Sequence, residues 1–342
     1  MTLAERAVRI GDTVDLPDVL TKFGIHYLCL RSARNLSAAP PDATAAFARA
    51  MDGFPIAMHT ADANAQHYEV PADLFAQILG PRRKYSSCFY ATGGESLAQA
   101  EEAALLQSCE FAQLADGQEI LELGCGWGSL TLWMAQHYPR ARITAVSNSA
   151  SQRAYIEEQA RRLRLANVSV VTADMNVFAP SGQFDRIVSV EMFEHMANWH
   201  ALLQRARVWL APEGRMFVHV FTHARTPYRF DHADKSDWIA NYFFTGGIMP
   251  SRALIGAFAD CFQIEAERQW GGVHYRRTAM DWLENYDRNH KAIAPILRQT
   301  YGADWQIWRR RWRLFFLATA GMFGYGKGAV WGVTHYRLKP LS

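Results

Sequence analysis

LELGCGWGSL, residues 121–130, carries an apolar run into a helical stretch through three alternate glycines, Gly124, Gly126 and Gly128, with Trp127 between the last two. Glycines at a strand-to-helix turn let the chain bend tightly. They also let a ligand approach the backbone and the N–H groups that open the helix. The spacing is GxGxG, not the GxGxxG of dinucleotide folds, and Glu122 stands two residues before the first glycine. A nicotinamide site would want an acid at the end of the next strand, about 20 residues on, to meet the ribose. VSNSASQ (146–152) supplies only the neutral amides Asn148 and Gln152. Next comes TADMN (172–176), where Asp174 can accept from an adenine amino group and Met175 can pack on the base; a solvated loop end is the competing reading.

Around this stretch the chain alternates. EILELG (119–124), RITAVS (142–147), VSVVTAD (168–174), FDRIVSVE (184–191) and RMFVHVF (215–221) read as strands. SLTLWMAQHYP, ASQRAYIEEQARRLRL and WHALLQRARVWL read as helices among them. Such alternation predicts right-handed crossovers and a mainly parallel sheet, with ligands at the carboxyl ends of its strands. Residues 1–80 read as a helical segment and 81–222 as the α/β core. Residues 223–342 read as a helical cap, chiefly 275–325, with two late strands at 262–270 and 330–338.

VSVEMFEHM (188–196) brings Glu191, Glu194 and His195 into one turn at a strand end. Burying such groups is unfavourable unless something pairs with them. A structural ion pair capping a helix near Met192 would serve, but beside the glycine loop a functional cluster is the better reading.

Composition narrows the rest. Of 342 residues 49% are hydrophobic and 13% aromatic, enough for a substantial core. Lys+Arg (36) barely exceed Asp+Glu (33), which gives no reason to expect nucleic acid. Five scattered cysteines without CxxC spacing fit a reducing cytoplasm and no disulfide framework. The apolar run 314–325 is too short for stable membrane insertion. His59, His67 and His274 fit no ligand spacing, so no metal is expected. RRRWR (309–313) reads as a solvated helix face. Trp238, Tyr242, Phe243, Phe244 and Tyr325 read as core, whereas Trp331 and Tyr336, on the last strand, are candidates to touch substrate.

In order along the chain, QHYEVP (66–71), KYSSCFY (84–90), LELGCGWGS, SVEMFEHM, NYFFTGGIMPS (241–251), HYRRT (274–278) and WGVTHY (331–336) resemble the cyclopropane-fatty-acid synthase superfamily of S-adenosylmethionine-dependent methyltransferases. The resemblance is closest to its coclaurine N-methyltransferase-like branch and covers roughly residues 55–340. It implies a Rossmann-like class I methyltransferase with a seven-stranded sheet, using S-adenosylmethionine and releasing S-adenosylhomocysteine. It also implies that Tyr85, Ser86, Gly124, Asn148, Gln152, Asp174, Met175 and Val190 surround the cofactor, with Gly126, Trp127 and Gly128 in the same loop. Glu191, Glu194 and His195 then face a small amine, for which carboxylates and an imidazole suit the removal of a proton. The lipid enzymes of the superfamily usually carry Gly where Glu191 stands, and cysteines where Ser87 and Thr319 stand. Their bicarbonate pattern involves positions matching Glu194, His219 and Tyr275, which are retained. The reading is therefore an N-methyltransferase for a small aromatic or benzylisoquinoline-like amine. The alternative is a cyclopropane synthase-like enzyme acting on unsaturated phospholipid chains, and a homodimer remains open.

Overall fold

The computed structural model describes residues 13–58, 70–230 and 237–341; His59 and His67 lie outside them. Among the described residues, four helices come first: α1 (Asp18–Ser37), α2 (Ala43–Met51), α3 (Ala72–Ile78) and α4 (Leu97–Phe111). Helix α4 starts on a capping box, in which Ser96 and Gln99 satisfy each other's backbone N–H groups. The alternating region follows: β1 (Glu119–Leu123), α5 (Ser129–His137), β2 (Arg142–Ser147), α6 (Ala150–Arg162), β3 (Val168–Thr172), β4 (Phe184–Val190), α7 (Trp199–Trp209) and β5 (Leu210–His223). Two short strands, β6 (Tyr228–Arg229) and β7 (Ile248–Met249), pair with each other around α8 (Trp238–Tyr242). Strand β8 (Phe262–Gly271) leads into α9 (Gly272–Arg288), α10 (His290–Tyr301) and α11 (Trp305–Gly324), and β9 (Trp331–Pro340) closes the chain.

The large sheet has seven strands in the order β3-β2-β1-β4-β5-β9-β8. Strands β1 to β5 pair in parallel, and β9 runs antiparallel to both of its neighbours. Strand order therefore reverses between β1 and β4, whose carboxyl ends carry Gly124 and Glu191, and a crevice at such a reversal is where open α/β sheets bind ligands. Helices α9 and α11 pack on one another, with α1 against α11, and Trp282, Trp312 and Phe316 of the cap join Trp127, Phe221 and Trp331 in one hydrophobic cluster.

One expectation needs correcting. The RRRWR run is not a solvated face: Trp312 is fully buried, Arg313 holds Asp18 of α1 and Asp287 of α9, and the Arg311 guanidinium sits 3.7 Å from the Tyr242 ring centroid. Arg311 and Arg313 fasten the cap, while Arg309 stays exposed. Among the described residues, no helix is long and apolar enough to cross a membrane.

Candidate active site

One cavity opens at the β1/β4 reversal. Its wall includes Tyr85, Ser86, Gly124, Gly126, Trp127, Asn148, Gln152, Asp174, Met175, Val190, Glu191, His195 and Tyr275. The glycine loop is shaped for close approach: Gly124 has φ +80° and Gly128 φ +76°, and a Cβ on Gly124 would lie 2.5 Å from the Met192 side chain. Gly128 lies behind the wall, at the start of α5 against Ile156. Gln152, buried on α6, accepts from Ser147 Oγ at 2.7 Å, and Asp174 accepts from the Asn176 N–H at 2.8 Å.

Glu191 follows the last residue of β4 with φ +48°, a left-handed conformation uncommon for a side chain of this size. Its backbone N–H donates to His219 O at 2.8 Å. The carboxylate is gripped from three directions. Ser87 N–H donates to Oε1 at 2.9 Å, Tyr275 OH donates to Oε2 at 2.7 Å, and His219 Nε2 lies 3.2 Å from Oε1. Burial raises its proton affinity, against the pull of Lys84, the Ser87 and Tyr275 hydrogen bonds, and His195. His195 is pushed down to about 4 by burial, against the charge of Glu191, and its ring stacks on Phe244 at 4.4 Å between centroids. Glu122, also on the wall, is pushed up to about 8 by burial, with Thr131 hydrogen-bonded to it.

Besides Gly128, four expected residues lie away from the wall. Glu194 is fully buried; its Oε1 accepts from the Phe221 N–H at 2.7 Å, and burial, with Glu191 adding to it, raises its proton affinity strongly. His219 stands behind Glu191, its Nδ1 3.0 Å from His335 Nε2. Trp331 packs against His223 and Tyr325, and the Tyr336 hydroxyl donates to the Arg252 carbonyl at 2.6 Å. These last two side chains fill the core instead of facing the cavity, because alternate residues of β9 are covered on both sides of the sheet. His274 likewise serves structure, accepting from the Tyr90 N–H at 3.2 Å and stacking on Phe89.

The sequence reading missed other parts of the wall. Lys84, Phe221, Phe244, Trp282 and Phe315 all face the cavity, as does Glu122, the acid that the sequence places before the glycine loop. The sequence reads Phe244 as core, and its one signal for Lys84 is the KYSS stretch that also holds Tyr85.

A glycine loop at the reversal of this sheet, with a cavity reaching the end of β4, defines a class I S-adenosylmethionine-dependent methyltransferase. Within that class, the sequence model of the mycolic acid cyclopropane synthetase family matches residues 57–332, and the chain belongs to this family. It is 38% identical over 279 residues to an (S)-coclaurine N-methyltransferase of Thalictrum flavum subsp. glaucum, covering 80% of this chain and 77% of that protein. It is 30% identical over 277 residues to the cyclopropane-fatty-acyl-phospholipid synthase of Escherichia coli (strain K12), covering 80% and 67% respectively. A crystal structure of coclaurine N-methyltransferase bound to N-methylheliamine and SAH is similar with a TM-score of 0.89 and 31% identity, over 98% of both chains.

Proposed function

We propose that this enzyme methylates the nitrogen of a small benzylisoquinoline-like amine. Glu191 is the observation that carries the reading: a carboxylate on the cavity wall, held by a hydroxyl and an N–H, beside the imidazole of His195. An ammonium gives that carboxylate a partner, whereas an acyl chain would leave it against hydrocarbon. The 38% identity to an (S)-coclaurine N-methyltransferase and the likeness to the structure holding N-methylheliamine support the amine class.

The cavity fits S-adenosylmethionine by the chemistry of its donors and by the cradle at Gly124, which a Cβ would fill. Asp174 and Met175 would take the adenine end, Asn148 and Gln152 the ribose, and the Gly124–Gly128 loop with Tyr85 and Ser86 the methionine end. Bound there, the cofactor supplies an electrophilic sulfonium methyl. Glu191 attracts the incoming ammonium and accepts its proton, for which the affinity raised by burial suits it. His195, neutral at physiological pH, accepts an N–H hydrogen bond and aims the lone pair. Phe244 and Phe221 line the cavity with rings that suit an aromatic amine. Alignment of nitrogen, methyl and sulfur would supply much of the remaining acceleration. His219 supports Glu191 from behind, while Glu194 holds the Phe221 N–H.

The test is incubation with methyl-labelled S-adenosylmethionine and either a panel of tetrahydroisoquinolines and arylethylamines or vesicles of unsaturated phospholipid. Label in an amine is expected; label in lipid alone overturns the reading. Glu191→Gln should lower kcat by about 100-fold or more and leave cofactor affinity near that of the wild type.

A further inference from the structure

Lys84 is a cation that the proposed chemistry leaves unused. It is only 2% exposed, yet its Nζ donates to Ser86 Oγ and to Ser87 O, both at 2.6 Å. Its own N–H donates to Glu101 Oε1 at 3.1 Å, and the other oxygen of that carboxyl takes the Arg82 N–H at 2.8 Å. Ser87, whose carbonyl accepts from the ammonium, gives its N–H to Glu191. A single residue therefore separates the cation from the carboxylate at the head of the amine site.

The groups that face Lys84 come from four elements and its own segment: Glu101 of α4, Glu191 after β4, His219 of β5, His335 of β9 and Cys88. Burial keeps both histidines neutral and pushes the Cys88 thiol up to about 12. Glu101 is itself pushed up to about 7. Among these groups, Glu191 is the carboxylate that touches the cavity. Burial lowers the proton affinity of Lys84, against the charges of Glu191 and Glu101; a buried ammonium near a buried carboxylate favours the ionised form of both.

We propose that Lys84 is a positioning residue that keeps Glu191 ionised and ready to take the amine's proton. The inference rests on Glu191 being the base. Lys84 acts in two ways: its charge opposes the burial of Glu191, and its two hydrogen bonds fix the turn that presents the Ser87 N–H. Without the charge, Glu191 holds a proton to higher pH, and the fraction of enzyme able to deprotonate an ammonium falls on the acid side.

The experiment is the pH profile of kcat for wild type, Lys84→Met and Lys84→Gln, at saturating amine and cofactor, with thermal melts and S-adenosylhomocysteine affinity measured alongside. Lys84→Gln can keep a hydrogen bond to the turn but loses the charge, so it carries the same readout should the Met variant fail to fold. The acid limb is expected to move to higher pH by about one unit or more, as for removal of a close opposite charge, with activity recovering at the alkaline end. A folded variant whose profile drops uniformly, or does not move, overturns the proposal. Glu191→Gln serves as the separate control. If it turns over as the wild type does, the base assignment falls and this inference with it; if it is inactive while the Lys84 variants keep the wild-type limb, only this inference falls.

Discussion

At the level of single residues, the conformation of Glu191 says as much as its charge. A left-handed φ of +48° forces Cβ toward its neighbouring backbone, a strain of order 1 kcal/mol that glycine escapes. The comparison that isolates it is Glu191→Gly against Glu191→Ala, since both lose the same contacts to Ser87, Tyr275 and His219. Gly is expected to be the more stable of the two by about 1 kcal/mol, the reverse of the usual order, and denaturant unfolding of the two variants measures it. Equal stability would mean that no strain is stored at this position. The sequence could single out Glu191 as an acid at a strand end, and its resemblance to enzymes with Gly there is consistent with a position of positive φ. It could not show the grip on the carboxylate, because Ser87 and Tyr275 reach it from 104 and 84 residues away. Lys84 was hidden for the same reason: a lysine in a polar stretch looks exposed until the fold closes over it.

At the level of elements, local pattern reaches further. The strand-and-helix alternation foretells β1 to β5, since short apolar runs between helical stretches need no knowledge of distant contacts. That Trp331 and Tyr336 fill the core instead of facing the cavity is not legible in the sequence, because β9 is buried on both faces and its pattern cannot distinguish pocket from core. The glycine loop shows how an element junction depends on close approach. A Cβ on Gly128 would lie 2.6 Å from Ile156 Cγ1, across the contact between α5 and α6, whereas one on Gly126 would meet nothing within 4 Å. Both have positive φ, so the difference between their alanine variants reports the packing conflict. Gly128→Ala should cost about 1–3 kcal/mol of stability, the range for overpacking, and more than Gly126→Ala. Thermal melts at matched pH decide the order, and a Gly126 variant equal to or worse than the Gly128 one would refute the packing argument.

For the molecule as a whole, the buried titratable groups set opposing demands on pH. His195 is held near 4, and His219 and His335 lie well below the ordinary value of 6.5, so each contributes stability above pH 6.5 that is lost as pH falls toward its folded value. Buried carboxyls do the opposite. Glu101 at about 7 and Glu122 at about 8 hold protons that the unfolded chain releases near 4.5, so their contribution is complete below pH 4.5 and lost as pH rises to those values. Between pH 4.5 and 6.5 the two sets offset one another. Above pH 6.5 the unfolded histidines are already neutral, so these three add nothing further to the pH dependence, while the buried carboxyls still do. Glu122 is among the carboxyls that still hold a proton from pH 7 to 8, with Glu194, whose affinity burial raises strongly, and comparison with a Gln variant isolates its share. The stability of the wild type relative to Glu122→Gln should therefore fall as pH rises from 6.5 to 8, by roughly 1 kcal/mol per pH unit. Denaturant unfolding of the ligand-free pair at pH 6.5, 7.2 and 8 measures this, and a difference that stays flat would show that Glu122 is ionised throughout. The same carboxyl lines the cavity at the end of β1, so the pH at which it ionises belongs to the binding site as much as to the core.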